Sequence, residues 1–181
     1  MHDDVAEILL DEATIQAKVR SLGARLSRDY AGKFPILICI LKGAFIFTAD
    51  LMRQLTIPAR VDFMAISSYG NRARTSGVVQ ILKDLDCSIE GEHVLVVEDI
   101  IDSGLTLSYL LDNLRSRRPA SLRTVVLLDK PARREVDYTP DYVGFQVPDK
   151  FVVGYGLDYA GLYRHLPYIG VLKPEIYENH G

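Results

Sequence analysis

The sequence predicts an α/β domain with a central, mostly parallel twisted sheet flanked by helices. Two observations carry this. Short apolar runs rich in β-branched residues, at Ile36–Leu41 and at 94–97, read as strands buried on both faces. Each is followed by a turn containing glycine and then by apolar residues at helical spacing. Strand, turn and helix repeated in that order is how a parallel sheet with covered faces is written.

In chain order, residues 8–10 form a short strand. Asp11 caps a helix in which Ile15, Val19, Leu22, Leu26 and Tyr30 recur at steps of three and four, and Gly32 ends it. That helix carries no functional signal and covers one face of the sheet. Pro35 opens the strand Ile36–Leu41, Lys42-Gly43 makes a turn, and residues 44–55 form a helix with Phe45, Ala49, Leu51, Met52 and Leu55 apolar. Residues 60–67 are a strand in which Val61, Phe63 and Ala65 alternate loosely against Asp62 and Met64. Residues 67–77 are polar, contain Gly70 and Gly77 and show no period; a strand resumes at 78–83, so they form the tip of a long hairpin. A plain surface loop would look the same, but long unstructured loops are uncommon in compact domains and often act as lids. Residues 88–92 turn into the strand at 94–97.

The chain is organised around the segment that this strand runs into: Glu98-Asp99-Ile100-Ile101-Asp102-Ser103-Gly104-Leu105-Thr106, then a helix with Leu107, Leu110, Leu111 and Leu114 on one face. The turn sits at the carboxyl end of a strand and the amino end of a helix, where open α/β sheets bind ligands. Ser103, Gly104 and Thr106 offer hydroxyls and unpaired N–H groups that, with the helix dipole, favour a phosphate. Glu98, Asp99 and Asp102 would repel a phosphate, so they are aimed at hydroxyls, a metal or a proton in transit. A phosphorylated sugar satisfies all of these; an N-capped helix with acids in its first turn is the plainer alternative.

Beyond the helix, residues 123–128 form a strand ending in Asp129-Lys130-Pro131, and 142–145 form another. The glycines at 154 and 156 do not continue as G-x-G-x-x-G, because position 159 is Tyr159, and no G-x-x-x-x-G-K-[ST] occurs. Tyr163, Leu166, Tyr168, Ile169 and Val171 supply apolar cover or a subunit contact.

The run from Val94 to Thr106 closely resembles the phosphoribosyl pyrophosphate (PRPP) signature of type I phosphoribosyltransferases, and the rest of the chain narrows the resemblance to the hypoxanthine(-guanine) branch. The resemblance implies the type I phosphoribosyltransferase fold with a small hood and a mobile hairpin loop, about 68–78, containing Ser68 and Tyr69. It implies that Lys42 and Gly43 form a pyrophosphate loop, often with a cis peptide before the lysine. It gives Lys130 as the donor to the 6-oxygen of a purine, Phe151 as the ring stacked on it, and Val152 as a backbone contact to its edge. It gives Asp158 as a Mg²⁺ ligand and Arg164 as a pyrophosphate contact. A lysine at the 6-position selects an oxo group over an amino group, because it has no acceptor. For Phe151 and Val152, ordinary core packing explains the same residue types. Glu98 and Asp99 hold the ribose hydroxyls and, depending on state, the metal through water. Ser103, Gly104, Leu105 and Thr106 bind the 5′-phosphate. Asp102 is the proton acceptor at purine N7, the single catalytic residue expected. The substrates implied are PRPP with hypoxanthine or guanine, the cofactor Mg²⁺, and the assembly a homodimer or homotetramer. A phosphoribosyltransferase for xanthine, uracil or orotate shares the PRPP turn and differs only at the base. A regulator that senses PRPP would be expected to carry a further nucleic-acid module.

Composition agrees. The 181 residues are 48% hydrophobic and 25% charged, with a formal net charge of −3, which suits one globular domain over 1–181 with a real core. Mild acidity argues against a nucleic-acid partner; Arg115, Arg117, Arg118 and Arg123 read as a solvated helix end. No segment approaches the ~18 apolar residues of a membrane span. The start, Met1-His2-Asp3-Asp4, is acidic without an apolar signal core. Cys39 and Cys87 make neither a disulfide framework nor a metal cluster, so a reduced, cytoplasmic setting is expected.

Overall fold

The computed structural model describes residues 1–68 and 79–178. Its elements are β1 (Val5–Leu10), α1 (Glu12–Asp29), β2 (Ile36–Leu41), α2 (Phe45–Arg53), β3 (Arg60–Ser68), β4 (Val79–Lys83), β5 (His93–Ile101) and α3 (Leu105–Arg115), followed by β6 (Ser121–Asp129), a 3₁₀ turn (Pro131–Arg133), β7 (Tyr142–Gln146), β8 (Val152–Val153), β9 (Ile169–Leu172) and α4 (Pro174–Glu178). The main sheet has six strands in the order β4-β3-β2-β5-β6-β7; all pairs are parallel except β3–β4. A second, antiparallel sheet, β1-β9-β8, forms the small hood.

The alternation of the central strands explains the layers. Leu37, Leu95, Val97 and Val125 meet Ile15, Val19, Leu22 and Leu26 of α1 and Phe47 and Leu51 of α2. Ile36, Ile38, Ile40, Val94, Val96 and Val126 meet Leu107, Leu110, Leu111 and Leu114 of α3. Each of those leucines contributes roughly 1.5–3 kcal/mol by leaving water. Together they fix α3, and with it the position of its first turn at the end of β5.

Some boundaries differ from the sequence reading. β1 begins at Val5 because Val5 pairs with Leu172 of β9. α1 is capped by Asp11, whose side chain accepts from Thr14 N at 2.8 Å. It ends at Asp29, short of Gly32, since Tyr30 leaves helical geometry and is buried in the core. α2 is shorter than 44–55 at both ends. The faces of β3 are the reverse of those expected: Val61 and Phe63 are 40% and 36% exposed, while Asp62 and Met64 are 4% and 0% exposed. Met64 packs towards α3, and the Asp62 carboxylate is satisfied where it lies by Phe63 N (2.8 Å), Asp86 N (3.0 Å) and Cys87 Sγ (3.4 Å). Buried polar groups are tolerated when bonded in this way. The predicted lid lies outside the described residues, Ser68 excepted, whose backbone ends β3 opposite Val79.

Candidate active site

From β2 the chain passes through α2 to β3 on one side, and from β5 through α3 to β6 on the other. The carboxyl ends of β2 and β5 therefore flank the point where the winding reverses, the usual ligand crevice of such sheets. A cavity of about 240 Å³ opens there. Gly43 from the β2 turn, Glu98, Asp99 and Asp102 from β5 and its turn, and Ser103, Gly104 and Thr106 at the start of α3 line it, with Ile40, Ile66 and Leu107 as apolar walls. A second cavity, bordered by Asp102, Ser103, Arg133 and Glu135, adjoins it.

The α3 turn depends on Gly104, which caps the helix in the left-handed region at φ 81°. A Cβ there would also lie 2.7 Å from Val136 Cγ2. Asp102 is therefore not the N-cap. Its Oδ1 instead accepts from Ser103 N at 2.8 Å, and Ser103 Oγ accepts from Leu105 N at 3.3 Å. The first-turn N–H groups of α3 have no acceptor within the helix, so the mouth of the helix favours an anion.

Beside it, the carboxyls of Glu98 and Asp99 line the same cavity and act on each other electrostatically. Burial pushes the Glu98 carboxyl well above its ordinary range, and the Asp99 charge adds to this. Burial likewise pushes Asp99 up to about 6, against the opposing pull of the Ile100 N–H and the Arg164 charge. Asp99 Oδ1 accepts from Ile100 N at 2.7 Å. Asp99 can sit there only because residue 43 is glycine: a Cβ on Gly43 would lie 1.9 Å from Asp99 Oδ2. The peptide between Leu41 and Lys42 is cis, as the resemblance implied.

The hood reaches the same place. A Cβ on Gly156 would lie 2.3 Å from Gly43 O. Arg164 donates Nη1–H to Gly156 O at 2.6 Å and pairs through Nη2 with Asp158 at 3.3 Å. Asp158 Oδ2 also accepts from Gly161 N at 2.8 Å.

The predicted residues thus divide. Gly43, Glu98, Asp99, Asp102, Ser103, Gly104 and Thr106 line one cavity. Leu105 opens α3 beside them. Lys42 is exposed on the adjoining turn. Lys130 is buried at the end of β6, where burial lowers its pKa and the Asp102 and Asp149 charges oppose that. Asp158 and Arg164 pair in the hood, and Arg164 acts electrostatically on Asp99. Phe151 is exposed, with one face stacked on Tyr177 at 4.7 Å between centroids. The Val152 side chain packs in the core and its backbone pairs with Val171, as the packing alternative foresaw. Tyr69 lies outside the described residues, and of Ser68 only the backbone is described.

Among the described residues, no group of three or more His, Cys, Asp or Glu gathers to hold a metal. A hard cation fits the Glu98–Asp99 pair nonetheless. Two crowded carboxyls with raised pKa favour a positive partner, and Mg²⁺ keeps several non-protein oxygen ligands by preference.

Sequence reasoning missed Arg134, whose guanidinium grips the Asp102 turn; an arginine five residues past a strand gives no local signal of that. It also missed Ile66, on the wall from β3.

Residues 5–160 match the family described as "Phosphoribosyl transferase domain". The chain belongs to the phosphoribosyltransferase family. It is 55% identical over 179 residues to the hypoxanthine-guanine phosphoribosyltransferase of Bacillus subtilis, covering 99% of each chain. A hypoxanthine phosphoribosyltransferase structure from Staphylococcus aureus superposes with a TM-score of 0.95 at 50% identity, over 98% of this chain and 96% of that one. The Trypanosoma cruzi enzyme in complex with its product IMP superposes at 0.93 with 46% identity, over 98% and 99%.

Proposed function

We propose that this chain salvages purines by transferring the 5-phosphoribosyl group of PRPP to N9 of hypoxanthine or guanine, giving IMP or GMP and pyrophosphate. The observation that carries the reading is the juxtaposition in one crevice of a helix-mouth phosphate cradle and a half-buried acid pair. The full-length similarity to hypoxanthine-guanine phosphoribosyltransferases supports it.

A ribosyl carbon that loosens from one partner before bonding the next becomes cationic, so the protein mainly positions and stabilises charge. Ser103, Gly104, Leu105 and Thr106 hold the 5′-phosphate. Glu98 and Asp99 accept from the ribose hydroxyls, and their negative charge favours the developing cation. Lys42, Gly43 and Arg164 hold the pyrophosphate. Lys130 donates to the 6-oxygen of the base, Phe151 stacks on the base, and Val152 meets its edge through the backbone. Asp102 takes the proton from N7, making N9 the better nucleophile. Asp158 would hold Mg²⁺ together with waters and substrate oxygens, and Glu98 and Asp99 would reach it through water; the ion would neutralise charge on the departing pyrophosphate.

Residues 1–181 act as one phosphoribosyltransferase domain in this reading, assembled as a homodimer or homotetramer. A reduced, cytoplasmic setting suits the two unpaired cysteines, Cys39 and Cys87. Among the described residues no helix is long and apolar enough to cross a membrane. The test is to mix purified protein with PRPP, Mg²⁺ and one base at a time. Nucleotide should form from hypoxanthine or guanine and not from adenine, uracil or orotate. No turnover of hypoxanthine or guanine would remove the proposal.

A further inference from the structure

Three successive carbonyls of the turn between β5 and α3 are held from behind by one segment. Lys130 N donates to Ile101 O at 2.9 Å, Arg134 Nε to Asp102 O at 3.1 Å, and Glu135 N to Ser103 O at 2.9 Å. Two of these are backbone bonds, available to any residue. The middle one is made by a side chain, that of Arg134. Its other two arms are also engaged, Nη2 with the buried Asp129 carboxylate and Nη1 with Tyr138 O. Only 15% of the Arg134 side chain is exposed.

We infer that Arg134 is a positioning residue that sets the orientation of the Asp102 carboxylate; this rests on the role proposed for Asp102 above. A trans peptide fixes its C=O and the following N–H in opposite directions. Anchoring Asp102 O on Arg134 therefore fixes where Ser103 N–H points, and that N–H donates to Asp102 Oδ1 at 2.8 Å. The chain of contacts runs from guanidinium to carbonyl, through the peptide plane, to the carboxylate. Gly104 completes it: a Cβ there would lie 3.1 Å from Arg134 Cδ, so the arm lies directly against the turn. An arginine is needed because one planar head must serve three acceptors in fixed directions, which an ammonium does not do. The other function open to the Asp129–Arg134 pair is plain stability, and a buried ion pair is weak evidence of that.

The test is Arg134→Lys, which keeps the charge opposite Asp129 and loses the fork. The expected result is a kcat at least tenfold lower, with KM for PRPP changed less than threefold because Glu135 N still holds Ser103 O. Asp102→Asn is then made in both backgrounds. If Arg134 works through Asp102, the second substitution costs much less in the Arg134→Lys protein than alone. Losses that multiply independently, or a lowered melting temperature with unchanged turnover per folded molecule, would overturn the inference. Should Arg134→Lys fail to fold, Asp129→Asn is measured in its place, with the same lowered kcat and non-additivity expected and the same outcomes overturning it. An inert Asp102→Asn would remove the Asp102 assignment itself and the positioning with it. A crippled Asp102→Asn beside a fully active Arg134→Lys would remove the positioning alone.

Discussion

Replacing Asp99 with asparagine should stabilise the ligand-free protein while weakening its binding of PRPP. Asp99 is pushed from an ordinary 3.8 up to about 6, chiefly by burial. Its folded-state pKa is raised, so the protonated form is favoured by folding. The stability it contributes is whole below about pH 4 and is lost as pH rises through 6. At pH 7.5 the ionised carboxylate is a net cost. Two pH units correspond to about 3 kcal/mol at most. The group lines an open cavity, and solvent screening leaves ~1 kcal/mol. For a chain of this size that is ~2–4 °C in melting temperature. Asparagine keeps an acceptor for Ile100 N and turns its amide into an open cavity where water can serve it, so no new polar group is orphaned. The assay is thermal denaturation of both proteins without ligand, from pH 4 to 8. The asparagine variant should melt ~2–4 °C higher at pH 7.5, and the gap should close at pH 4. Equal or lower melting at pH 7.5 would refute the claim that this carboxylate is held at a cost for function.

Other outcomes rest on the same geometry. Asp102→Asn should lower turnover by about 10²–10⁴ in steady-state assays, with PRPP affinity by calorimetry retained. Lys130→Ala should erode the preference for 6-oxo over 6-amino purines in a competition between hypoxanthine and adenine; an unaltered preference would show that Lys130 does not read that position. Gly104→Ala should destabilise the protein by ~1–3 kcal/mol in urea, through its left-handed φ and the contact with Val136, and should raise KM for PRPP.

The central motif was legible because its parts are local. Strand, turn and amphipathic helix occupy consecutive residues, and the buried face of α3 is the one its leucine spacing marks. The three strand ends carrying Lys42, Asp102 and Lys130 could likewise be read, since each sits where an apolar run stops. What the sequence hid was non-local. The inverted faces of β3 depend on partners for Asp62 that lie in the segment after β4. The grip of Arg134 on Asp102 spans 32 residues with no periodicity to announce it. The need for glycine at 43 and 156 arises where the hood loop meets the β2 turn and the Asp99 carboxylate, a contact that only the folded chain makes.

The most direct measurement is a crystal structure of this protein with IMP bound. The account predicts the nucleotide phosphate within hydrogen-bonding distance of the backbone N–H groups of residues 103–106, the ribose hydroxyls against Glu98 and Asp99, and N7 facing Asp102. A phosphate seated elsewhere, with the mouth of α3 left to solvent, would contradict it.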